Sequence, residues 1–415
     1  MIRLWPLGLA LGIGALVLVF TKTAPREPAL SPLAALGHEI FHDKSLSVSG
    51  QQSCASCHRA EFGHASAHGI EKGGPDMQAT GLRNVPSVRY VSTPSALTFD
   101  KEGKALGGFF WDGRAASLQA QAMQPFLNPS EMANPDAAAV VQKLSRSTYA
   151  ARFSELNGSS IWQDPGRALT AMAEALAAYQ REDRDLHRFD SRFDQVMQGR
   201  AIFNAAEKRG WALFKDQDKG NCAACHTAET GADGSPPLFT DNSYDNLGVP
   251  RHPGLRRPQQ ALDHDLGLCK NSSLPKNVST AALCGAFKVP SLRNVAVRQA
   301  FFHNAAMTDL REVIAFYATR DTDPKRWYGK GPVFNDLPVK YRGNVNRSEV
   351  PYGQKPGDQP RLSEQDIDDL LAFLQTLTDA DLADSVAKRQ SATAAAIAEV
   401  RADRTAANPV ALHNR

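Results

Sequence analysis

The chain has 415 residues, which is long enough for two domains. Its formal net charge of +3 is too small to indicate nucleic acid as a partner. Hydrophobic residues make up 42% of the sequence, as in an ordinary globular protein. Composition therefore gives no support to nucleic-acid binding, and the function has to be sought in the motifs.

Residues 1–31 are predicted to be an export segment followed by a linker. Arg3 precedes an apolar run from Leu7 to Phe20, which is the pattern of a signal peptide. The run is short for a membrane span, but Pro25 directly follows the small residues that could form a cleavage site. A cleaved signal and a retained membrane anchor both remain open, and either one delivers the rest of the chain to the periplasm.

Helical periodicity dominates the remainder of the chain, and few stretches alternate with a period of two. We therefore predict an all-α protein with long loops. The clearest amphipathic segments are Leu33 to Asp43, Ala168 to Tyr179, Thr308 to Tyr317 and Ser363 to Thr376. We expect an N-terminal domain over residues 32–184, a C-terminal domain over residues 185–384 and a helical tail over residues 385–415.

The pattern C-x-x-C-H occurs twice, at Cys54, Cys57 and His58, and again at Cys222, Cys225 and His226. It attaches c-type haem, because the two thiols bind the haem vinyl groups and the histidine becomes the proximal ligand of the iron. Zinc knuckles and redox dithiols also use C-x-x-C, but neither needs a histidine after both copies. The sequence predicts two covalent haem c groups. Arg-Asn-Val follows each motif, at 83–85 and 293–295, which suggests two related halves.

The two remaining cysteines, Cys269 and Cys284, lie close together in the sequence. In an oxidising compartment we expect them to pair as a disulfide that closes a surface loop. Two separate buried thiols are the alternative.

Several motifs together resemble the bacterial di-haem cytochrome c peroxidases and their relative MauG. They are the two haem motifs, the segment from Leu36 to Ser53, Phe110 to Ala115, and Lys288 to Asn294. The resemblance covers roughly Leu33 to Thr378. It implies one cytochrome c-like haem domain in each half, with a peroxidatic N-terminal haem, an electron-transferring C-terminal haem and a calcium ion between the domains.

The resemblance also assigns roles to single residues. Trp111 matches the tryptophan between the two haems, although it could be a core aromatic. Gln121, Pro125 and Glu131 match the peroxide pocket by their offsets from Trp111. Glu131 would move the proton that O–O cleavage requires, unless it is an ordinary glutamate at a helix start.

Asn84 matches the calcium-binding asparagine of the family, with backbone carbonyls at Arg298 and Ala300 as further ligands. Ligation by oxygen atoms is normal for calcium. Asn84 could instead cap a turn.

The axial ligands opposite the proximal histidines differ within the family. Tyr317 stands where the peroxidases carry Met and where MauG carries Tyr, with Met307 a less suitable alternative. A phenolate would lower the potential of the second haem and favour the higher oxidation states of its iron, unless Tyr317 belongs to the core. At the first haem, His68 is a better candidate than His64, and if neither binds, that iron is open at rest.

Gly220 departs from MauG, which has a tryptophan two residues before its second haem motif through which it oxidises a partner protein. We therefore expect an enzyme that reduces hydrogen peroxide with electrons from a small cytochrome c or copper protein. A MauG-like oxidase of aromatic residues in a partner protein is the alternative. A di-haem electron carrier without catalysis is the third hypothesis.

Overall fold

The computed structural model describes residues 29–91, 96–255 and 264–388. The apolar run from Leu7 to Phe20 and the chain after residue 388 lie outside these residues, so the predicted export segment and most of the predicted tail are not described. Within the described ranges, no helix is both long enough and apolar enough to cross a bilayer.

Helices dominate both halves of the described chain, as predicted. Those before residue 190 are α1 (Pro32–His42), α2 (Cys54–Cys57), α3 (Leu118–Leu127), α4 (Ala137–Leu144), α5 (Ala150–Asn157) and α6 (Pro165–Glu182). Those after it are α7 (Arg192–Met197), α8 (Ala205–Lys215), α9 (Leu310–Thr319), α10 (Pro324–Tyr328) and α11 (Glu364–Gln375).

Short antiparallel pairs and single helical turns interrupt the long loops between these helices. The strand pairs are β1 (Lys72–Gly73) with β2 (Ala79–Thr80), β3 (Thr98–Phe99) with β4 (Ala105–Leu106), and β5 (Tyr244–Asp245) with β6 (Phe287–Lys288). The 3₁₀ turns are Lys44–Leu46, Ala60–Phe62, Ser159–Gln163, Arg184–Leu186, Cys222–Ala224, Pro253–Leu255, Gly267–Lys270, Thr280–Leu283, Val295–Val297, Val339–Asn344 and Ala380–Leu382. The all-α class with long loops is therefore confirmed.

The N-terminal core forms where α1 packs against α6. Ser31 caps α1 by accepting the Ala34 amide, and Asp164 caps α6 in the same way. At Gly37 a side chain would collide with the main-chain oxygen of Ala175 in α6. Glycine therefore lets the two backbones approach closely just before the chain enters the first haem motif.

The C-terminal core repeats this arrangement with α8 and α11. A side chain at Gly210 of α8 would collide with the main-chain oxygen of Asp369 in α11. Ser363 caps α11 and forms a capping box with Asp366, as the sequence indicated. In each half, then, a helix with a close-packing glycine leads the chain into C-x-x-C-H.

Buried charges join the two halves. The Arg89 guanidinium donates to Asp379 at 2.9 Å, with both side chains buried. Asn294 also donates to Asp379, so one carboxylate holds a loop from each half. The hydrophobic clusters span 36–186 and 193–377, while the domain bounds 32–184 and 185–384 stay a prediction.

The predicted disulfide between Cys269 and Cys284 is confirmed. It closes a loop of the C-terminal half over a small cluster that includes Leu268 and Ala286. A loop of this kind buries few side chains of its own. The crosslink stabilises it by limiting the conformations of the unfolded chain.

Candidate haem and peroxide sites

The first haem motif forms a single helical turn, α2, followed directly by His58. The backbone and side chains of Ser53 and Ser56 cap one another at its start. The His58 Nδ1 lies 3.3 Å from the main-chain oxygen of His64. A carbonyl can only accept a hydrogen, so Nδ1 is the protonated nitrogen and Nε2 is left as the iron ligand.

The second motif has the same arrangement. Cys222–Ala224 forms a 3₁₀ turn, and the His226 Nδ1 lies 3.0 Å from the main-chain oxygen of Phe239. Burial lowers the pKa of both proximal histidines, which favours the neutral ring that metal ligation needs.

Two serine hydroxyls next to the loops that hold the proximal histidines reveal the register of the internal repeat. Ser87 Oγ donates to the carbonyl of Gly63, and Ser291 Oγ donates to the carbonyl of Leu238, both at 2.6 Å. These carbonyls directly precede the two that hold His58 and His226. The repeated sequence is therefore Val-Pro-Ser-x-Arg, at 85–89 and 289–293. The Arg-Asn-Val pairing taken from the sequence was out of register.

Glu131 lies in a cavity of about 370 Å³ beside the first haem motif. Its charge acts on both Cys54 and Cys57. Asn128 Nδ2 donates to its carboxylate at 2.6 Å. Burial raises the pKa of Glu131, although the Asn128 hydrogen bond and the Arg114 charge act to lower it. The carboxyl can therefore exchange a proton closer to neutral pH than an exposed glutamate does.

Two further polar residues line this cavity that sequence reasoning had not assigned to it, Arg114 and Gln124. Arg114 Nε donates to Gln124 Oε1 at 2.9 Å, and its guanidinium stacks over Phe110 with 3.7 Å to the ring centroid. Asp112 accepts from Arg114 Nη1 at 2.9 Å. Gln124 lies one helical turn after Gln121 on α3. This spacing was the signal in the sequence that could have assigned Gln124 to the cavity.

The other predicted residues of the first site stay predictions. Gln121 and Pro125 are half-buried on α3 and do not belong to the lining of the Glu131 cavity. His68 is exposed. His64 is buried, and its ring nitrogen accepts from Arg89 at 3.1 Å. Since the His64 carbonyl holds His58, His64 belongs to the proximal side of the haem.

A second cavity, of about 340 Å³ and mostly apolar, contains the second haem motif. Cys222, Cys225 and His226 line it together with Tyr317, as the predicted ligation requires. Burial raises the pKa of Tyr317. An apolar cavity with two thiols, a histidine whose Nδ1 is hydrogen-bonded, and a partly buried phenol fits a covalent haem.

Trp111 lines the same second cavity although it belongs to the N-terminal half. Its indole Nε1 donates to the main-chain oxygen of Asn84 at 2.8 Å. The Asn84 amide in turn donates to the carbonyls of Ala300 and Phe302, each at 3.1 Å. The Asn84 side chain thus turns its amide nitrogen, and not the oxygen that would bind calcium, toward these two carbonyls. A calcium site formed by Asn84 and the carbonyls of Arg298 and Ala300 stays a prediction, and the contact with Phe302 was not foreseen.

The backbone around position 220 explains why this residue is a glycine. A Cβ at this position would lie 2.6 Å from the main-chain oxygen of Leu213. The turn that leads from α8 into the second motif therefore excludes a large side chain at position 220.

Comparison with known proteins identifies the family of this chain. Residues 31–201 match the family described as di-haem cytochrome c peroxidase. The chain is 38% identical to methylamine utilization protein MauG of Paracoccus denitrificans over 363 residues, covering 85% of this chain and 90% of MauG. It is 28% identical to cytochrome c551 peroxidase of Nitrosomonas europaea over 317 residues, covering 74% and 81% of the two chains.

A solved structure is also similar to this chain. The diheme peroxidase BthA of Burkholderia thailandensis superposes with a TM-score of 0.80 at 38% identity, covering 86% of this chain and 88% of BthA. The chain is thus a peroxidase-like oxidoreductase with haem c as its cofactor. It belongs to the family of di-haem cytochrome c peroxidases and MauG.

Proposed function

We propose that the protein reduces hydrogen peroxide to water in the periplasm. Each peroxide takes up two electrons and two protons and yields two water molecules. A small cytochrome c or copper protein supplies the electrons at the haem of His226. Cys54, Cys57 and His58 would hold the first haem, which would supply the iron that reacts with peroxide.

The observation that carries this proposal is the carboxyl of the half-buried Glu131 beside the first haem motif. Peroxide cleavage needs a proton taken from one oxygen and given to the other. Glu131 is held for this by Asn128, and its pKa is raised by burial. Arg114 places a positive charge in the same cavity, which acts to lower this pKa.

Trp111 supports the path between the two haems in this proposal. It belongs to the N-terminal half, lines the cavity of the second haem and is hydrogen-bonded to the Asn84 loop. Calcium bound by Asn84 and the carbonyl of Ala300 would hold this junction in place. Export to the periplasm is supported by the signal-like run before Phe20 and by the disulfide, which forms in oxidising compartments. An N-terminal membrane anchor remains the alternative to cleavage.

The test is a steady-state assay of the holoprotein with a reduced small cytochrome c. We expect two cytochromes to be oxidised for each peroxide consumed. The Glu131→Gln variant, with both haems attached, is expected to lose this activity. Peroxide-independent oxidation of the cytochrome, or none at all, would contradict the proposal.

Tyr317 favours a second candidate, the MauG-like oxidation of aromatic side chains in a partner protein. A partly buried phenol lies in the cavity of the second haem, where phenolate ligation would favour higher oxidation states of iron. Gly220 argues against the surface route that MauG uses, because the turn there admits no indole. Peroxide consumption that needs no electron donor and leaves oxidised aromatic residues in a partner would favour this candidate.

A further inference from the structure

The Arg89 side chain joins the loop of the first proximal histidine to the opposite half of the protein. This side chain is only 2% exposed. Its Nη1 donates to Asp379 at 2.9 Å, and its Nη2 donates to Asp381 at 2.6 Å. Both carboxylates belong to the C-terminal half. The guanidinium is therefore fixed in place by acceptors that lie outside the half to which Arg89 belongs.

The remaining nitrogen of this guanidinium contacts the turn that holds the first proximal histidine. Arg89 Nε donates to His64 Nδ1 at 3.1 Å. The His64 carbonyl accepts from His58 Nδ1 at 3.3 Å and from the Val88 amide at 3.1 Å. A single residue thus lies between the guanidinium and the predicted iron ligand, and it is bonded to each of them through a different group.

The backbone of His64 shows why its contact with Arg89 matters. The φ angle of His64 is 54°, in the left-handed region that few residues other than glycine adopt. Such a conformation costs free energy and persists where the surrounding contacts fix it. The bond from Arg89 to the His64 ring is one of these contacts, and it holds the orientation in which the His64 carbonyl meets His58.

The second half offers a comparison, because Arg293 stands at the same place in the Val-Pro-Ser-x-Arg repeat. Its Nε donates at 2.9 Å to the carbonyl of Pro237, two residues before the carbonyl that holds the second proximal histidine. Its two other nitrogens donate to Asp194, in the same half of the chain. Both arginines therefore brace the loop of a proximal histidine, but the carboxylates that anchor Arg89 come from the opposite half.

We propose that Arg89 is a positioning residue of the first haem site, which fixes the His64 carbonyl on His58 Nδ1 and thereby lowers the reduction potential of the haem that His58 would bind. The hydrogen bond from Nδ1 makes the imidazole a stronger donor, which favours ferric over ferrous iron. Weakening this bond should therefore raise the potential. The proposal needs the haem but not the reaction with peroxide, so its failure can be distinguished from a failure of the proposed function.

The test is a spectroelectrochemical titration of the Arg89→Lys holoprotein, with both haems attached. Lysine keeps the positive charge beside Asp379 and Asp381, but it lacks the planar fork that serves these carboxylates and His64 at once. At a fixed applied potential, we expect the ratio of reduced to oxidised first haem to rise by about two- to tenfold, the range for a weakened hydrogen bond. The second haem should keep its potential.

Arg188→Lys is the matched control. Arg188 also pairs with Asp381, at 3.4 Å, while its other carboxylate partners are close neighbours in the sequence. This variant should leave both potentials unchanged. A shift of the first haem as large in Arg188→Lys as in Arg89→Lys would mean that general loosening of the junction sets the potential, and it would overturn the proposal. An unchanged potential of the first haem in Arg89→Lys would overturn it as well.

Substitutions of His64 test the same contact from its other side and keep the test decisive if Arg89→Lys does not accumulate. Asparagine tolerates the left-handed backbone, and its Oδ1 is as many bonds from the main chain as the Nδ1 of His64. His64→Asn should therefore keep the potential of the unaltered protein. His64→Leu has no acceptor and should raise the potential as Arg89→Lys does. Equal first-haem potentials for His64→Leu and the unaltered protein would contradict the role of Arg89.

Discussion

The indole Nε1 of Trp111 donates a hydrogen bond of 2.8 Å to the main-chain oxygen of Asn84. The main-chain oxygen of Trp111 accepts from Lys288 N at 2.9 Å. Two residues beyond Asn84 and Lys288, the carbonyls of Pro86 and Pro290 contact the proximal histidines. Trp111 is therefore tied to both loops that hold the haem ligands.

Replacing Trp111 by phenylalanine should slow electron transfer between the haems. The variant keeps a ring in the junction but loses the oxidisable indole and its bond to Asn84. We expect oxidation of the second haem by peroxide to slow by about tenfold or more, equivalent to about 1.4 kcal/mol in the barrier. Trp162→Phe is the control, since its indole bonds Ser154 within the N-terminal half. An unchanged rate for Trp111→Phe would remove Trp111 from the path.

Glu131→Gln should impair the reaction with peroxide while leaving haem attachment intact. Glutamine can still accept from Asn128 but cannot exchange a proton. Loss of a general acid–base group lowers rates by about 10²–10⁴, and stopped-flow absorbance should show a loss of this size. Glu155→Gln, at an exposed position, should react normally. A loss below tenfold would mean that another group moves the proton.

Arg114 should set the pH range of the reaction. Burial raises the pKa of Glu131 and the Arg114 charge lowers it. A general base acts when ionised, so the rate should fall as the pH drops through this pKa. Arg114→Gln removes a positive charge, which raises the pKa further. The acid limb should therefore move to higher pH.

The control for this pH profile is Arg152→Gln, because Arg152 pairs with Glu39 on the surface. Its acid limb should coincide with that of the unaltered protein. A limb that moves to lower pH in Arg114→Gln would contradict the role of Glu131 as the titrating group.

Asn84→Ala should abolish calcium binding at the domain junction. The substitution removes the side-chain oxygen that the predicted site requires. Metal analysis should find calcium in the unaltered protein and little in the variant, and a chelator should lower the melting temperature of the unaltered protein alone. Asn344→Ala is the matched control, since Asn344 also donates to two main-chain carbonyls. Absence of calcium from the purified protein would refute the site.

Replacing both Cys269 and Cys284 by serine should destabilise the protein without altering its haems. The disulfide closes a loop with a sequence separation of 15. Loop-closure entropy predicts a loss of about 3 kcal/mol in the free energy of unfolding for a loop of this length. Denaturant unfolding followed by circular dichroism measures it, with the absorbance spectrum as the control for haem attachment.

The sequence predicted what local patterns encode. The haem motifs need five consecutive residues each, so their spacing alone predicted both attachment sites. Helices α6 and α11 followed from periodicity, and Ser363 marked the start of α11. Such features require no knowledge of which loops meet.

The features that the sequence did not predict depend on contacts between segments that are far apart in the chain. Gln124 enters the Glu131 cavity only once α3 has placed it beside Arg114. The Phe302 carbonyl meets Asn84 across the domain junction, and no side-chain pattern marks a carbonyl. The correct repeat, Val-Pro-Ser-x-Arg, was visible in the sequence but was obscured by the shorter Arg-Asn-Val match.

The most direct measurement mixes peroxide with holoprotein whose second haem alone is reduced, and follows that haem by stopped-flow absorbance. The account predicts rapid oxidation of the second haem at a rate proportional to peroxide, and oxidation at least 10²-fold slower in Glu131→Gln. A second haem that stays reduced, or that is oxidised equally fast in Glu131→Gln, would contradict the account of peroxide reduction at the first site.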